Sequence, residues 1–191
     1  MSSRTRKASP EQTALLTAAF PERLRAEAAH IAEEICPSVM SGRGLSVIVQ
    51  DEPLTLPYRV QHGGSDTLSS KLDEPLGLIY ACIQSRHHDG HMRQRQIERL
   101  AGVSEPWVVS FVVQLCSEYV VEILQDIDAR LPLLDKRVYG TVLRGNPAFL
   151  DLAQQRMTSY WDCYYRRRWV RSETYVGCRL FKQFRDWQVS G

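Results

Sequence analysis

The run Pro106 to Leu115, PWVVSFVVQL, constrains the fold more than any other part of the chain. Val108, Val109, Phe111, Val112, Val113 and Leu115 leave a helix here no polar face, so it must lie at the centre of a core. The same residues could form a buried strand. Ser104 as a cap, Pro106 in the first turn and continuation through Cys116 favour the helix. A second apolar helix then runs through Tyr119, Val120, Ile123, Leu124 and Ile127, carrying Glu118, Glu122, Asp126 and Asp128.

Before this pair stands another. Asp73 is placed to cap a helix with Pro75 in its early turn, burying Leu76, Ile79, Tyr80 and Ile83. The turn RHHDGH follows, and Asp89 is placed to cap a helix that buries Met92, Ile97 and Leu100. Offsetting the chain by about 29 residues lays Leu78, Ile79, Cys82 and Ile83 on Trp107, Val108, Phe111 and Val112. It also lays Asp89, Met92 and Arg93 on Glu118, Val121 and Glu122.

This pattern resembles a pair of HEAT-type helical repeats, in which an acidic residue follows the inter-helix turn and an Arg sits about four positions on. Asp89-x-x-Met92-Arg93 fits it, and Glu122 stands where the second Arg would be. The resemblance implies a right-handed stack of helical hairpins, a scaffold or binding role, and flanking helices that cap the stack. RHHDGH, PWVVSFVVQL, EYVVEIL, NPAF and SYWDCYYR also look like bacterial proteins of similar length that carry no activity to transfer.

At 191 residues the length suits one domain. Residues 1 to 8 read as a disordered tail and 9 to 191 as a single helical domain. Ser9, Pro10 and Gln12 form a capping box for the first of the helices in 9 to 36. Leu24, Ala28, Ile31, Ala32 and Ile35 make a helical stripe that Pro37 ends. Residues 41 to 72 read as an irregular insertion with a short β-branched run at Leu45 to Val49, an extended Asp51 to Tyr58, and a loop from Gln61 to Ser70. Hairpins fill 73 to 131, and helices near 133 to 144, 147 to 168 and 173 to 187 complete the C-terminal part, 133 to 188. The fold expected is all-α, HEAT-like stacked hairpins with an irregular insertion near 41 to 72.

A net charge of +2 implies no nucleic-acid partner by itself. The distribution is uneven, however. Glu118 to Asp135 carries five acidic residues against Arg130, and Asp151 onward carries eight basic against four acidic. Five widely spaced cysteines without a C-x-x-C pair suit a reducing, cytoplasmic setting. No secretory leader and no spanning run is apparent, so no membrane is expected.

Three clusters invite a chemical reading. His87, His88 and His91 could bind a metal, and a metal-dependent enzyme would centre there. Read with Asp89 as a cap, they become instead the turn between two helices. Tyr160 to Trp169 interleaves aromatics with Arg166, Arg167 and Arg168, a composition that stacks bases and neutralises phosphates. A helix with Trp161, Tyr164, Tyr165 and Trp169 packed inward, or docking of this basic end on the acidic 118 to 135, is the favoured account of it. Cys163 reads as a buried, inert thiol. No Walker loop, G-x-S-x-G elbow or H-E-x-x-H occurs, so no catalytic or cofactor residue is assigned and the reading leans away from an enzyme. The leading expectation is a module that binds another protein through Arg93, Arg95, Arg166, Arg167 and Arg168. Nucleic-acid binding through the C-terminal aromatic-basic helix is the rival. The sequence sets no oligomeric state.

Overall fold

The computed structural model describes residues 8–41, 44–63, 68 and 71–190, with backbone alone at 39–41. Most of the expected tail, and residues 42–43, 64–67 and 69–70 of the expected insertion, lie outside the described residues. The chain is mostly helical, as the all-α expectation requires, and carries small sheets besides.

α1 (Pro10–Thr17) begins as expected. The Ser9 hydroxyl accepts from Gln12 N–H while the Gln12 side chain accepts from Ser9 N–H. α2 (Arg25–Ile35) follows a 3-10 turn and buries Ala28, Ile31, Ala32 and Ile35. It stops at Cys36, whose φ of 46° takes the chain out of the right-handed helix.

Within the segment expected to be irregular, the described residues 39–41, 45–49, 52–56 and 59–61 form paired strands. β1 (Val39–Ser41) pairs antiparallel with β4 (Arg59–Gln61), and β2 (Leu45–Val49) with β3 (Glu52–Leu56). Leu45, Val47, Val49, Leu54 and Leu56 face the core, while Ser46, Ile48 and Thr55 stay outside, the period of two that a half-buried hairpin demands. Gln50 and Asp51 form the turn at φ 51° and 67°, both left-handed, which matches the twist of the strands it joins. Asn146 ties the hairpin to the helices. Its Oδ1 accepts from Ile48 N–H at 2.7 Å, and its Nδ2 donates to the Ile48 and Val142 carbonyls at 2.7 and 2.8 Å. The β-branched run at Leu45 to Val49 and the extended Asp51 to Tyr58 become strands, while their pairing was not expected.

Then come α3 (Leu76–Gln84), α4 (Gly90–Arg95), α5 (Ile97–Leu100), α6 (Pro106–Leu115), α7 (Val121–Ala129), α8 (Lys136–Gly145), α9 (Pro147–Tyr160) and α10 (Val176–Ser190). α6 is the centre expected of it, with every residue from Trp107 to Leu115 buried. Asp89 caps α4, accepting from His91 N–H at 2.8 Å. Three details differ from expectation. Glu74, rather than Asp73, lends its side chain to α3, accepting from Leu78 N–H. Glu105 precedes α6 without a capping bond, its carboxylate being taken by Trp107 Nε1 and Arg23. α7 starts at Val121, leaving Glu118 to Val120 as a turn.

Packing follows the sequence. α1 lies on α2, α2 on α3, and α10 on both α8 and α7. Arg179 on α10 pairs with Asp128 on α7 at 2.5 Å, so the basic end does meet the acidic helix. Among the described residues no helix is long and apolar enough to cross a membrane.

Candidate functional site

The turn between α6 and α7 places Glu118 inside the protein. α6 closes with Glu118 N–H donating to the Leu115 carbonyl, and the carboxylate faces inward, 3% exposed. Arg59 on β4 grips it with two parallel bonds, Nη1 to Oε1 at 2.8 Å and Nη2 to Oε2. Arg86, fully buried at the end of α3, donates Nη2 to Oε1. Arg93, fully buried on α4, brings Nη2 within 3.7 Å of Oε2. The backbone sets this meeting up, because Val60 N–H donates to the Arg86 carbonyl at 2.9 Å and locks β4 against the end of α3.

Three guanidinium groups thus surround one carboxylate in a place that water does not reach. Buried charge is tolerable only when paired. Burial opposes ionisation of Glu118, yet Arg86, Arg59 and Arg93 together hold its carboxyl below the usual range. Burial pulls Arg86 down to about 10, against the pull of Glu118, so it remains charged at neutral pH. The positive side is in excess. Nε and Nη1 of Arg86 and Nε of Arg93 are buried without a hydrogen-bond partner among the described residues. Nη1 of Arg93 is better served, donating to the His87 and His88 carbonyls at 2.9 and 3.0 Å.

Next to this cluster lie the histidines. His87 Nδ1 accepts from Asp89 N–H at 3.1 Å, which leaves the ring proton on Nε2 to be donated to the His62 carbonyl at 3.1 Å. Both ring nitrogens of His87 are therefore occupied, and neither offers a lone pair to a metal. His87 meets His62 edge-to-face and His88 at a tilt, with ring centres 4.7 and 4.2 Å away. Burial, helped by His87 and His88, drives His62 down to about 4. His91 is exposed on α4, its backbone N–H in the Asp89 cap. Among the described residues no group of three His, Cys, Asp or Glu side chains is placed to hold a metal ion.

On the outside, α9 runs into a π-helical turn at Trp161–Tyr165. Its i→i+5 bonding advances each residue by less than the 100° of an α-helix, so side chains expected on one face separate. Trp161, Tyr165 and Trp169 pack against the core, whereas Tyr164 points out, 66% exposed. Tyr165 Oη donates to the Tyr119 carbonyl at 2.5 Å and accepts from Val121 N–H at 3.3 Å, pinning the turn onto the start of α7. Trp161 Nε1 donates to the Trp169 carbonyl at 3.0 Å. The rings of Tyr119, Tyr160 and Tyr164 then form one cluster, with centres 5.9 to 6.4 Å apart. Arg166 pairs with Asp162 at 2.8 Å, and Arg168 covers the Trp169 ring at 4.5 Å. Neither Arg167 nor Arg168 has a carboxylate partner among the described residues.

The structure thus sorts the residues expected to meet a partner. Arg166, Arg167 and Arg168 are exposed together, next to Tyr164 and Val170. Arg95 is exposed on α4 and borders a polar groove with Gln94, Asp126 and Arg130. Arg93 is not a surface residue: Glu118 and two backbone carbonyls draw it inside. Cys163, expected to be buried, is exposed, because the widened turn carries it outward with Tyr164. Glu118, Arg59 and Arg86 carry no motif. The visible signal was an acid held between the apolar runs of α6 and α7, and an arginine ending the apolar run of α3. The chain matches no protein-family model, no curated protein and no solved structure.

Proposed function

We propose that the protein is a non-enzymatic protein–protein interaction module, an adaptor or inhibitor that occludes its partner, built on a HEAT-like stack of helical hairpins. Its binding face is the outer surface of the π-helical turn: Tyr119, Tyr164, Arg166, Arg167, Arg168 and Val170. One observation carries this reading. Tyr164 and Val170, 66% and 78% exposed, stand beside three exposed arginines, two of them without a carboxylate partner among the described residues. Exposed aromatic and Arg side chains in one patch are the composition that dominates binding energy at protein interfaces. The charge requires a partner with an acidic surface.

Nucleic-acid binding is the second reading, favoured by the cation–π contact of Arg168 with Trp169 beside an exposed tyrosine. Reversing Arg166, Arg167 and Arg168 to Glu separates the two. A protein retained by the wild type from its native cell extract, and lost from the reversed variant, supports the leading reading. A low-salt gel shift of RNA or DNA that the reversal abolishes, with no protein retained, replaces it by the second.

A further inference from the structure

Tyr58, Arg59, Arg156 and Tyr160 meet in one group beside the Glu118 cluster, each of them half-buried and so within reach of solvent. Arg156 and Tyr160 are one turn apart on α9 and project from the same face. The Tyr160 hydroxyl lies 3.1 Å from that of Tyr58. The guanidinium carbons of Arg59 and Arg156 lie 4.5 and 5.2 Å from the centre of the Tyr58 ring.

Two features of this group are incomplete. Arg156 has no ion-pair partner among the described residues, and its Nη1 is buried without a hydrogen-bond partner. In the tyrosine pair one hydroxyl donates to the other, and the remaining proton has no acceptor among the described residues. The bond to Tyr58, with burial, raises the Tyr160 hydroxyl further above neutral pH, so the pair keeps both protons there and one of them is available for donation. Charge points the same way. Arg59, Arg86 and Arg93 exceed Glu118 by two, and Arg156 adds a third positive charge. A ligand that completes this site is an anion rich in acceptor oxygens. Guanidinium forks match both carboxylate and phosphate. An excess above one charge favours the dianion, and a phosphate monoester carries about −1.5 to −2 at pH 7.

We infer that the group formed by Tyr58, Arg59, Arg156 and Tyr160 binds a phosphate dianion, either free or as a monoester. Inorganic phosphate, phenyl phosphate and acetate are titrated in turn into the full chain, followed by calorimetry and by the NMR signals of Arg156 and Tyr160. Phosphate binds saturably with a Kd on the order of 1 mM, and acetate about tenfold more weakly. Phenyl phosphate about tenfold tighter than phosphate identifies an ester as the ligand, and equal affinity identifies the free ion. Arg156→Gln weakens phosphate binding about tenfold and Tyr160→Phe about threefold, with the far-ultraviolet circular dichroism unchanged. Arg156→Lys, which keeps the charge but loses the fork, falls between wild type and Arg156→Gln and serves if the latter does not fold. Absence of saturable phosphate binding overturns the inference. So does acetate binding as tightly as phosphate, or an Arg156 variant that binds as the wild type does.

Discussion

Arg86 and Glu118, 32 residues apart in the chain, form an ion pair that solvent does not reach. Glu118 is the carboxylate for three guanidinium groups, so its loss has a larger effect than that of any one arginine. Glu118→Gln preserves shape and leaves two fully buried cations, Arg86 and Arg93, and the half-buried Arg59 without a counter-charge. Removing one partner of a buried pair costs about 3–5 kcal/mol. Urea denaturation at pH 7 reads this directly; a loss below about 1 kcal/mol means that the arginines find other compensation.

Stability falls on mild acidification because of His62. Burial lowers its folded-state value from 6.5 to about 4, so between those limits the unfolded chain binds more protons. The contribution of His62 is complete above pH 6.5, declines as the pH falls, and is exhausted below about 4. Between pH 8 and pH 5 the loss is ~2 kcal/mol. His62→Gln flattens the curve of unfolding free energy in this window, and an unchanged slope assigns the pH dependence to other groups.

Neighbouring tyrosines have separable roles. Tyr165→Phe removes the donor to the Tyr119 carbonyl and costs about 1 kcal/mol of stability, with binding of a partner preserved. Tyr164→Ala removes an exposed ring, changes stability by less than about 0.5 kcal/mol, and weakens partner binding by about 2 kcal/mol. Paired denaturation and binding measurements on both variants check the division. A reversed pattern moves the binding face away from the π-helical turn.

Asn146 joins hairpin to helix through its amide. Asn146→Asp keeps the acceptor for Ile48 N–H but turns the donor toward the Ile48 and Val142 carbonyls into a negative oxygen. A destabilisation of about 2–3 kcal/mol follows from leaving these groups unsatisfied. Thermal unfolding at neutral and at low pH tests it, since protonating the introduced carboxylate restores one donor and part of the loss. A loss of the same size at both pH values assigns it to something other than the missing donor.

Asp51→Gly stabilises the protein. Gln50 and Asp51 both hold positive φ in the hairpin turn, and Asp51 at 67° is the second central position, where glycine is strongly preferred. The gain is about 0.5–1 kcal/mol. An unchanged or lowered unfolding midpoint means that the Asp51 side chain supports the turn by some other contact.

Local features were legible in the sequence. The capping box at Ser9 to Gln12 and the Asp89 cap each involve residues within three positions of one another, so their chemistry is written in adjacent letters. The burial of α6 follows from having no polar face. The strands of 45 to 56 were only half legible: the alternation at Leu45 to Val49 was visible, but the pairing depends on a turn made by two non-glycine residues at positive φ.

Sequence by itself determined the helices, the central place of Pro106 to Leu115, and the concentration of arginine after Asp162. Tertiary structure alone decided which arginines are inside and which are outside. Arg93 and Arg95 are two residues apart on one short helix, yet one is buried against Glu118 and the other is exposed. The physical reason is that a guanidinium goes wherever its pairing outweighs the loss of hydration. For Arg59, Arg86 and Arg93 that place is set by a carboxylate 59, 32 and 25 residues away, a relation that no local pattern encodes.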